Sequence, residues 1–230
     1  MNPLTWQNPE QLFVAQVLKK IFYNSVAELR EYIMKKTGLF QNETLFFYTY
    51  IAHNGQIYKT TAASLDVCRK LRDRWQRHLS TSFTGHRHIA NYAEVKKKVE
   101  NAVRFCYKNG QRFFYVGGAI GFDTIAAESV LRLKEEFPDI VLIVVVPFPQ
   151  QDKLFNNSYR NRYFNILNMA DEVITISDSF SNFAYLKRND YMISHSSQLI
   201  AYWDEISLGG TSYTVRKAYE KKLTIYNLYK

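Results

Sequence analysis

The sequence predicts an α/β fold: a Rossmann-like open, mainly parallel sheet with helices on both faces, preceded by a small α+β N-terminal module. From residue 79 onward, apolar strand-like segments alternate with amphipathic helical ones. The strand-like segments are rich in Ile and Val with little polar alternation, which is typical of strands buried on both faces. Sequential β-α units with right-handed crossovers then build an open parallel sheet. We therefore divide the chain into a module at 1–78 and a Rossmann-like domain at 79–230.

The N-terminal module is predicted to have the order α-β-β-α. Residues 9–36 carry apolar side chains at helical spacing, which predicts a long helix. Two strand-like segments, 44–52 and 57–61, flank an Asn-Gly pair that supplies the positive φ angles of a tight hairpin turn. A basic helix at 64–79 completes the module, and its role is not evident from the residues.

Six strands are predicted in the second part of the chain. They are 79–84, 112–116, 140–147, 172–177, 198–203 and 223–228. Helical segments lie between them, and residues 92–108 show the clearest amphipathic face. Apolar residues make up 47% of the chain, which is enough for a sizeable core and excludes a mostly disordered protein.

Charge and cysteine usage restrict the function classes. The net charge is +9, and residues 1–80 alone hold 11 Lys and Arg against 6 Asp and Glu. This balance favours polyanionic or phosphate-bearing partners, although a solvated cationic surface has the same composition. Cys68 and Cys106 show neither CxxC nor Cys/His spacing, and the histidines are scattered. We expect no metal and no cofactor.

No targeting or membrane segment is evident. The longest apolar run, from Ile140 to Phe148, is too short to span a bilayer. The first ten residues lack the basic start and apolar stretch of a secretory signal. These observations predict a reduced, cytoplasmic protein with no membrane contact.

Glycines cluster where the predicted strands end. Ligands of open parallel sheets bind beyond the carboxyl ends of the strands. The sequence "TGHR" ends the first strand at 84–87, "GGAIGFD" follows the second at 117–123, and "GGT" stands after the fifth at 209–211. Six of the nine glycines therefore fall at three strand ends, an alignment that scattered surface turns would not produce.

These loops favour a nucleotide-sized anion. Glycine lets backbone N–H groups approach a phosphate, and the helices that follow add the positive ends of their dipoles. Arg87 supplies a cation, whereas His86 and His88 have no partner that would make them catalytic. Asp123 either bonds a ribose hydroxyl or caps its helix. Arg160 and Arg188 either reach the same crevice or form surface salt bridges.

The series "FTGHR", "GGAIGFDTIAAESVL", "VVVPFPQQ", "YRNRYFNILNMADEV", "RNDYMISHSSQLIAYW" and "GGTSYTVRKAY" resembles the YpsA-like branch of the SLOG superfamily over about 79–230. This superfamily of Rossmann-like proteins is related to the LOG phosphoribohydrolases and to DprA. The resemblance implies a nucleotide or nucleotide-derived ligand, a setting in bacterial or phage conflict and, by analogy, a homo-oligomer. The ligand-binding candidates are Thr84, Gly85, Arg87, Gly117, Gly118, Gly121, Asp123, Arg160, Arg188, Gly209, Gly210 and Thr211.

The chain departs from the LOG pattern at the catalytic motif. LOG enzymes carry PGGxGTxxE, whose glutamate serves N-glycosidic cleavage, whereas "LGGTSYTV" lacks the separate glycine before the threonine and has Thr214 three residues after Thr211. Asp123 and Glu128 are the candidate substitutes for that carboxylate.

Three functions are open at this point. The leading hypothesis is a binding protein for a phosphorylated nucleoside, acting as sensor or sequestering protein. The first alternative is a nucleotide N-glycosidase that uses Asp123 or Glu128. The second is DprA-like single-stranded DNA binding by the basic helix "CRKLRDRWQRHL", which has an equally simple interpretation as an amphipathic helix with its charges in water.

Overall fold

A computed structural model describes residues 30–37 and 44–229 of the chain. The strands are β1 (Glu31–Thr37), β2 (Thr44–Ile51), β3 (Ile57–Ala62), β4 (Ser80–Gly85), β5 (Phe113–Val116), β6 (Val141–Val146), β7 (Glu172–Thr175), β8 (Gln198–Tyr202) and β9 (Thr224–Asn227). The helices are α1 (Leu65–His78), α2 (Tyr92–Lys108), α3 (Phe122–Leu133), α4 (Asn157–Met169), α5 (Ala184–Ser194) and α6 (Gly210–Glu220). In the described part of the chain, no helix is both long and apolar enough to cross a membrane.

The main sheet has six strands in the order β7-β6-β5-β4-β8-β9, and every neighbouring pair is parallel. This confirms the Rossmann-like fold and all six predicted strands. The chain runs outward from β4 to β7 and then crosses back to place β8 beside β4. The topological switch point, where such sheets bind ligands, therefore lies between β4 and β8.

Apolar residues cover both faces of the sheet. On one face, Phe114 and Leu142 contribute to a core that also contains the apolar sides of α2, α3 and α4. On the other face, Phe113 and Val141 pack with Met192 of α5 and with residues of the N-terminal module. Successive residues of one strand point to opposite faces of the sheet, and both faces are buried. This explains why polar residues do not alternate with apolar ones in the strand sequences.

The helix predicted for 9–36 is wrong at its C-terminal end. Residues 9–29 lie outside the described residues, but Glu31–Thr37 form β1, which pairs antiparallel with β2 and places Glu31 opposite Tyr50. Helical spacing is a weak prior here because pairing with β2 satisfies a whole row of backbone groups. The carboxylate of Glu31 also accepts hydrogen bonds from Arg69 and Arg72 of α1.

The predicted hairpin and basic helix are confirmed. Strands β2 and β3 are antiparallel, and Gly55 in the turn between them has a φ of +80°. Helix α1 follows, and its first turn is capped because the Ser64 hydroxyl accepts the N–H of Val67 at 3.3 Å.

The N-terminal module completes the cover of the sheet. Ala52 and Trp75 contribute to the same core as Phe113 and Val141, so the module fills the part of that face that α5 leaves bare. The Trp75 ring meets Phe113 edge-on, with centroids 6.2 Å apart. The separate-domain boundary at 78/79 stays a prediction.

We expect Trp75→Ala to lower the free energy of unfolding by about 2 kcal/mol, because it removes a half-buried ring from the contact between module and sheet. The matched control is Arg74→Ala, whose exposed side chain should change stability by less than about 0.5 kcal/mol. Urea denaturation of both variants measures the difference. Equal stabilities would mean that the module does not support the sheet.

Candidate functional site

A cavity of about 520 Å³ opens at the carboxyl ends of β4 and β8, at the switch point of the sheet. It brings together segments that are more than a hundred residues apart in the sequence. The predicted residues that line it are Thr84, Gly85, Arg87, Asp123, Arg188, Gly209, Gly210 and Thr211.

Glycine is required where the loops after β4 and β5 meet. A Cβ atom on Gly85 would lie 2.5 Å from Cγ of Phe122, so the strand end packs directly against α3. Gly121 has a φ of +81°, and a Cβ atom there would lie 2.2 Å from the carbonyl oxygen of Arg87. The carbonyl oxygen of His86 also accepts the N–H of Phe122 at 3.1 Å. This backbone contact sets the position of Arg87 at the cavity.

Arg188 and Asp123 form a buried pair at the cavity wall. Arg188 is 6% exposed and Asp123 is 7% exposed. An Nη1 atom of Arg188 donates to Oδ2 of Asp123 at 3.4 Å, and the same oxygen accepts the N–H of Ala119 at 3.2 Å. Gly117 leaves the room for this pair, because a Cβ atom there would lie 1.3 Å from Nη1 of Arg188.

The pair leaves Arg188 short of partners. Burial lowers the pKa of Arg188 despite the nearby Asp123 carboxylate, and burial raises the pKa of Asp123 despite Arg188. A guanidinium has five N–H donors, yet the 3.4 Å contact is its only hydrogen bond to a residue that the structure describes. Nε of Arg188 is buried and has no acceptor in residues 30–37 and 44–229. A buried cation in this condition favours an anion in the cavity.

The start of α6 faces the same cavity. Gly209, with a φ of +146°, precedes the helix, and its N–H donates to the Ser212 hydroxyl at 2.9 Å. The next N–H groups of the first turn have no partner within a helix, and the helix dipole makes this end positive. Asn189 lines the cavity beside Gly210, is 7% exposed, and its amide has no hydrogen bond to any described residue. Asn189 follows the candidate Arg188 in the sequence, but only its burial in the folded protein identifies it as a residue of the site.

His86 has a positioning role that the sequence analysis missed. Its Nε2 accepts the backbone N–H of Asp204 at 3.1 Å, which ties the loop after β4 to the loop after β8. Asp204 in turn holds that second loop. Hydrogen bonds from the Ser207 hydroxyl and the Ser207 and Ile206 N–H groups lower the pKa of Asp204 to about 2. Residues 118 positions apart carry no sequence signal of this contact.

Two charged residues predicted for the site, Glu128 and Arg160, do not line the cavity. The Glu128 carboxylate accepts a hydrogen bond from Arg162 at 2.7 Å and another from the Tyr92 hydroxyl at 2.6 Å. Burial alone would raise the pKa of Glu128, but these hydrogen bonds hold it below its ordinary value. Arg160 donates to Asp152 at 2.7 Å. Both charges are therefore used in ion pairs outside the cavity.

The other predicted glycines, Gly117, Gly118 and Gly121, do not line the cavity either, and each stands where a Cβ atom would contact a neighbouring residue. Gly118, with a φ of +66°, packs against Gln151, where a Cβ atom would lie 3.0 Å from Nε2. Thr214, at the place of the LOG glutamate, is buried and its hydroxyl donates to the carbonyl oxygen of Gly210 at 2.7 Å. No group of three His, Cys, Asp or Glu side chains that could hold a metal ion occurs within residues 30–37 and 44–229.

The Rossmann-like domain is similar to a known protein family. A family model described as the YspA SLOG family matches residues 83–229, more than half of the chain. The chain belongs to this family. The match covers the strands, glycine loops and cavity of the Rossmann-like domain, and it begins after the N-terminal module.

Curated relatives of this SLOG protein include proteins of Halalkalibacterium halodurans and Bacillus subtilis. UPF0398 protein BH1768 of Halalkalibacterium halodurans is 31% identical over 130 residues, which cover 56% of this chain and 69% of that protein. The uncharacterized SPbeta prophage-derived protein YoqJ of Bacillus subtilis is 35% identical over 109 residues, 42% of this chain and 64% of YoqJ. Among solved structures, DNA processing protein A from Helicobacter pylori, described with a single-stranded DNA binding mode, is similar with a TM-score of 0.48 and 16% identity, over 85% of this chain and 79% of that one.

We expect Gly121→Ala to destabilise the protein more than Gly110→Ala. Both glycines have positive φ angles, +81° and +92°, so each substitution costs about 1 kcal/mol of backbone strain. Only the Gly121 variant also drives a Cβ atom into a backbone carbonyl, which adds about 2 kcal/mol. Chemical denaturation measures the free energy of unfolding of the two variants. An equal decrease in both would show that the loop after β4 can move away from the added Cβ atom at little cost.

Proposed function

We propose that this SLOG protein binds a phosphorylated nucleoside or a nucleotide-derived signalling molecule in the cavity between β4 and β8. The observation that carries the proposal is the buried Arg188 guanidinium, which lines the cavity and has one long hydrogen bond, to Asp123, among the residues that the structure describes. A buried charge with so little compensation is costly unless a ligand supplies the missing acceptors.

The wall chemistry suits both parts of a nucleotide. Phosphate oxygens would accept from Arg188, from Arg87 and from the first N–H groups of α6. Arg87 is exposed, and its side chain forms no ion pair or hydrogen bond with a described residue, so it is free to do this. Thr84 and Asn189 offer uncharged hydrogen-bonding groups for a sugar or a base. A volume of about 520 Å³ lies within the usual range of small-ligand sites.

The biological role proposed is that of a sensor or a sequestering protein in bacterial or phage conflict. The prophage origin of YoqJ supports that setting. A homo-oligomer remains a proposal that rests on the family alone.

Calorimetry against a panel of nucleotides tests the proposal. We expect one nucleotide class to bind, and Arg87→Ala and Arg188→Lys each to weaken that binding about tenfold or more, because each removes charge-assisted hydrogen bonds to phosphate. The control is Arg104→Ala, which removes an arginine that pairs with Glu136 on the surface.

Thermal melts must show that both site variants remain folded, and the conservative lysine at position 188 keeps a positive charge beside Asp123. Binding that is unchanged in both variants would place the ligand elsewhere. Absence of binding across the panel would remove the proposal.

Nucleotide N-glycosidase activity is the second candidate, and one observation favours it. Asp123 lines the cavity, and its Oδ1 atom has no hydrogen bond to a described residue. Burial raises the pKa of this carboxyl group, so a proton-donating role is accessible at higher pH than for an ordinary aspartate.

If the protein is a hydrolase, Asp123→Asn should reduce release of free base at least a hundredfold while nucleotide binding persists, because the amide cannot transfer a proton. Glu128→Gln is the matched control, since Glu128 lies outside the cavity and pairs with Arg162. Chromatography of the reaction mixture measures base release. Equal release by wild type and Asp123→Asn would refute this mechanism.

A further inference from the structure

A second concave surface lies at the opposite edge of the sheet from the proposed nucleotide cavity. It is a groove of about 500 Å³ where the C-terminal end of α1 and strand β3 meet the segments that precede β8 and β9. We call it the basic groove and define it by Tyr58, Arg74, Trp75, Arg77, His78 and Lys222.

The basic groove is lined by cations that are not neutralised. Among the described residues, neither an Asp nor a Glu lines it. Arg74 and Lys222 are exposed, and their side chains form no ion pair with a residue of 30–37 or 44–229. Arg77 donates to the carbonyl oxygen of Ser196 at 3.1 Å, which orients its guanidinium. The groove is therefore a site of concentrated positive charge.

Other cations of α1 are used differently. Arg69 and Arg72 donate to the Glu31 carboxylate, and Lys70 pairs with Asp66 at 2.7 Å. The basic helix thus has one side whose charges are compensated within the module and one side whose charges face the groove. A merely solvated helix does not require this separation.

Two aromatic rings form the floor of the groove. The rings of Tyr58 and Trp75 lie 5.3 Å apart between centroids and are inclined by 31°. Both are half-exposed, and Phe113 of the sheet holds the Trp75 ring from behind. Rigid aromatic faces beside cations are what sequence-tolerant binding of single strands needs, because bases stack on the rings while phosphates meet the charges.

We propose that the basic groove binds a single-stranded polynucleotide, with bases stacked on Tyr58 and Trp75 and backbone phosphates against Arg74, Arg77 and Lys222. A duplex keeps its bases stacked inside and cannot use the rings. An acidic peptide would use the cations and leave the aromatic faces empty. The two rings and both arginines of this proposal precede the family match at 83–229, and only Lys222 and the groove-lining Ser197 lie within it. The module therefore supplies most of the groove, which is separate from the nucleotide cavity.

Fluorescence anisotropy with a labelled single strand of about 12 nucleotides tests the proposal on the full chain. Three phosphate contacts predict that log K falls with log salt with a slope of about −2. The double variant Arg74→Glu, Lys222→Glu should bind at least tenfold more weakly at low salt with an unchanged thermal midpoint. Tyr58→Ala should lose about tenfold through lost stacking.

The matched control is Lys70→Glu, Arg104→Glu, which changes the net charge equally but replaces cations that are ion-paired elsewhere. DNA and RNA strands are compared, and tighter binding of either one supports the proposal and names the polymer. Three outcomes overturn it: no binding that weakens with salt, duplex bound as tightly as single strand, or equal losses in the groove and control variants. Arg87→Ala should leave strand binding unchanged, and a loss there would place the strand in the nucleotide cavity instead.

Discussion

The buried contact between Arg188 and Asp123 is the interaction on which the rest of the candidate site depends. It requires a residue without a side chain at Gly117, because any Cβ atom would occupy the place of the guanidinium. It also joins α5 to the start of α3 across the carboxyl ends of the strands. Because neither charge is fully compensated by the other, the contact leaves the cavity wall electrostatically incomplete, and an anionic ligand is the simplest completion.

The sheet separates two different chemistries. Its carboxyl edge holds glycine loops, helix starts and the buried pair, all of which suit one compact anion. Its amino edge holds half-exposed rings and cations that form no ion pair with the described residues, and these groups suit an extended polyanion. The N-terminal module has two roles: it covers an apolar face of the sheet, and it supplies most of the basic groove. One module therefore supports the fold and presents a surface that the family match does not include.

The positions that require glycine could be predicted from the sequence, whereas the pairing of charged side chains could not. The glycine loops could be recognised because glycine is the residue that tolerates positive φ and close approach, a property that is local to the chain. Glu128 and Arg160 were predicted for the site from their positions in the sequence. In the structure they pair with Arg162 and Asp152 outside the cavity, and no local rule says which carboxylate an arginine will pair with. His86 shows the converse, since its contact with Asp204 spans most of the domain.

The sequence by itself determined the parallel sheet, its six strands, the edge that holds the candidate site and the family, because buried strands and glycine turns follow from short-range sterics and hydrophobic patterning. Only the tertiary structure decided that Glu31–Thr37 is a strand, that Arg188 is buried with one long hydrogen bond to the described residues, and that Arg69 and Arg72 of α1 pair with Glu31. Each of these depends on groups brought together from distant parts of the chain. Local propensity and residue spacing carry no information about such contacts until the chain has folded.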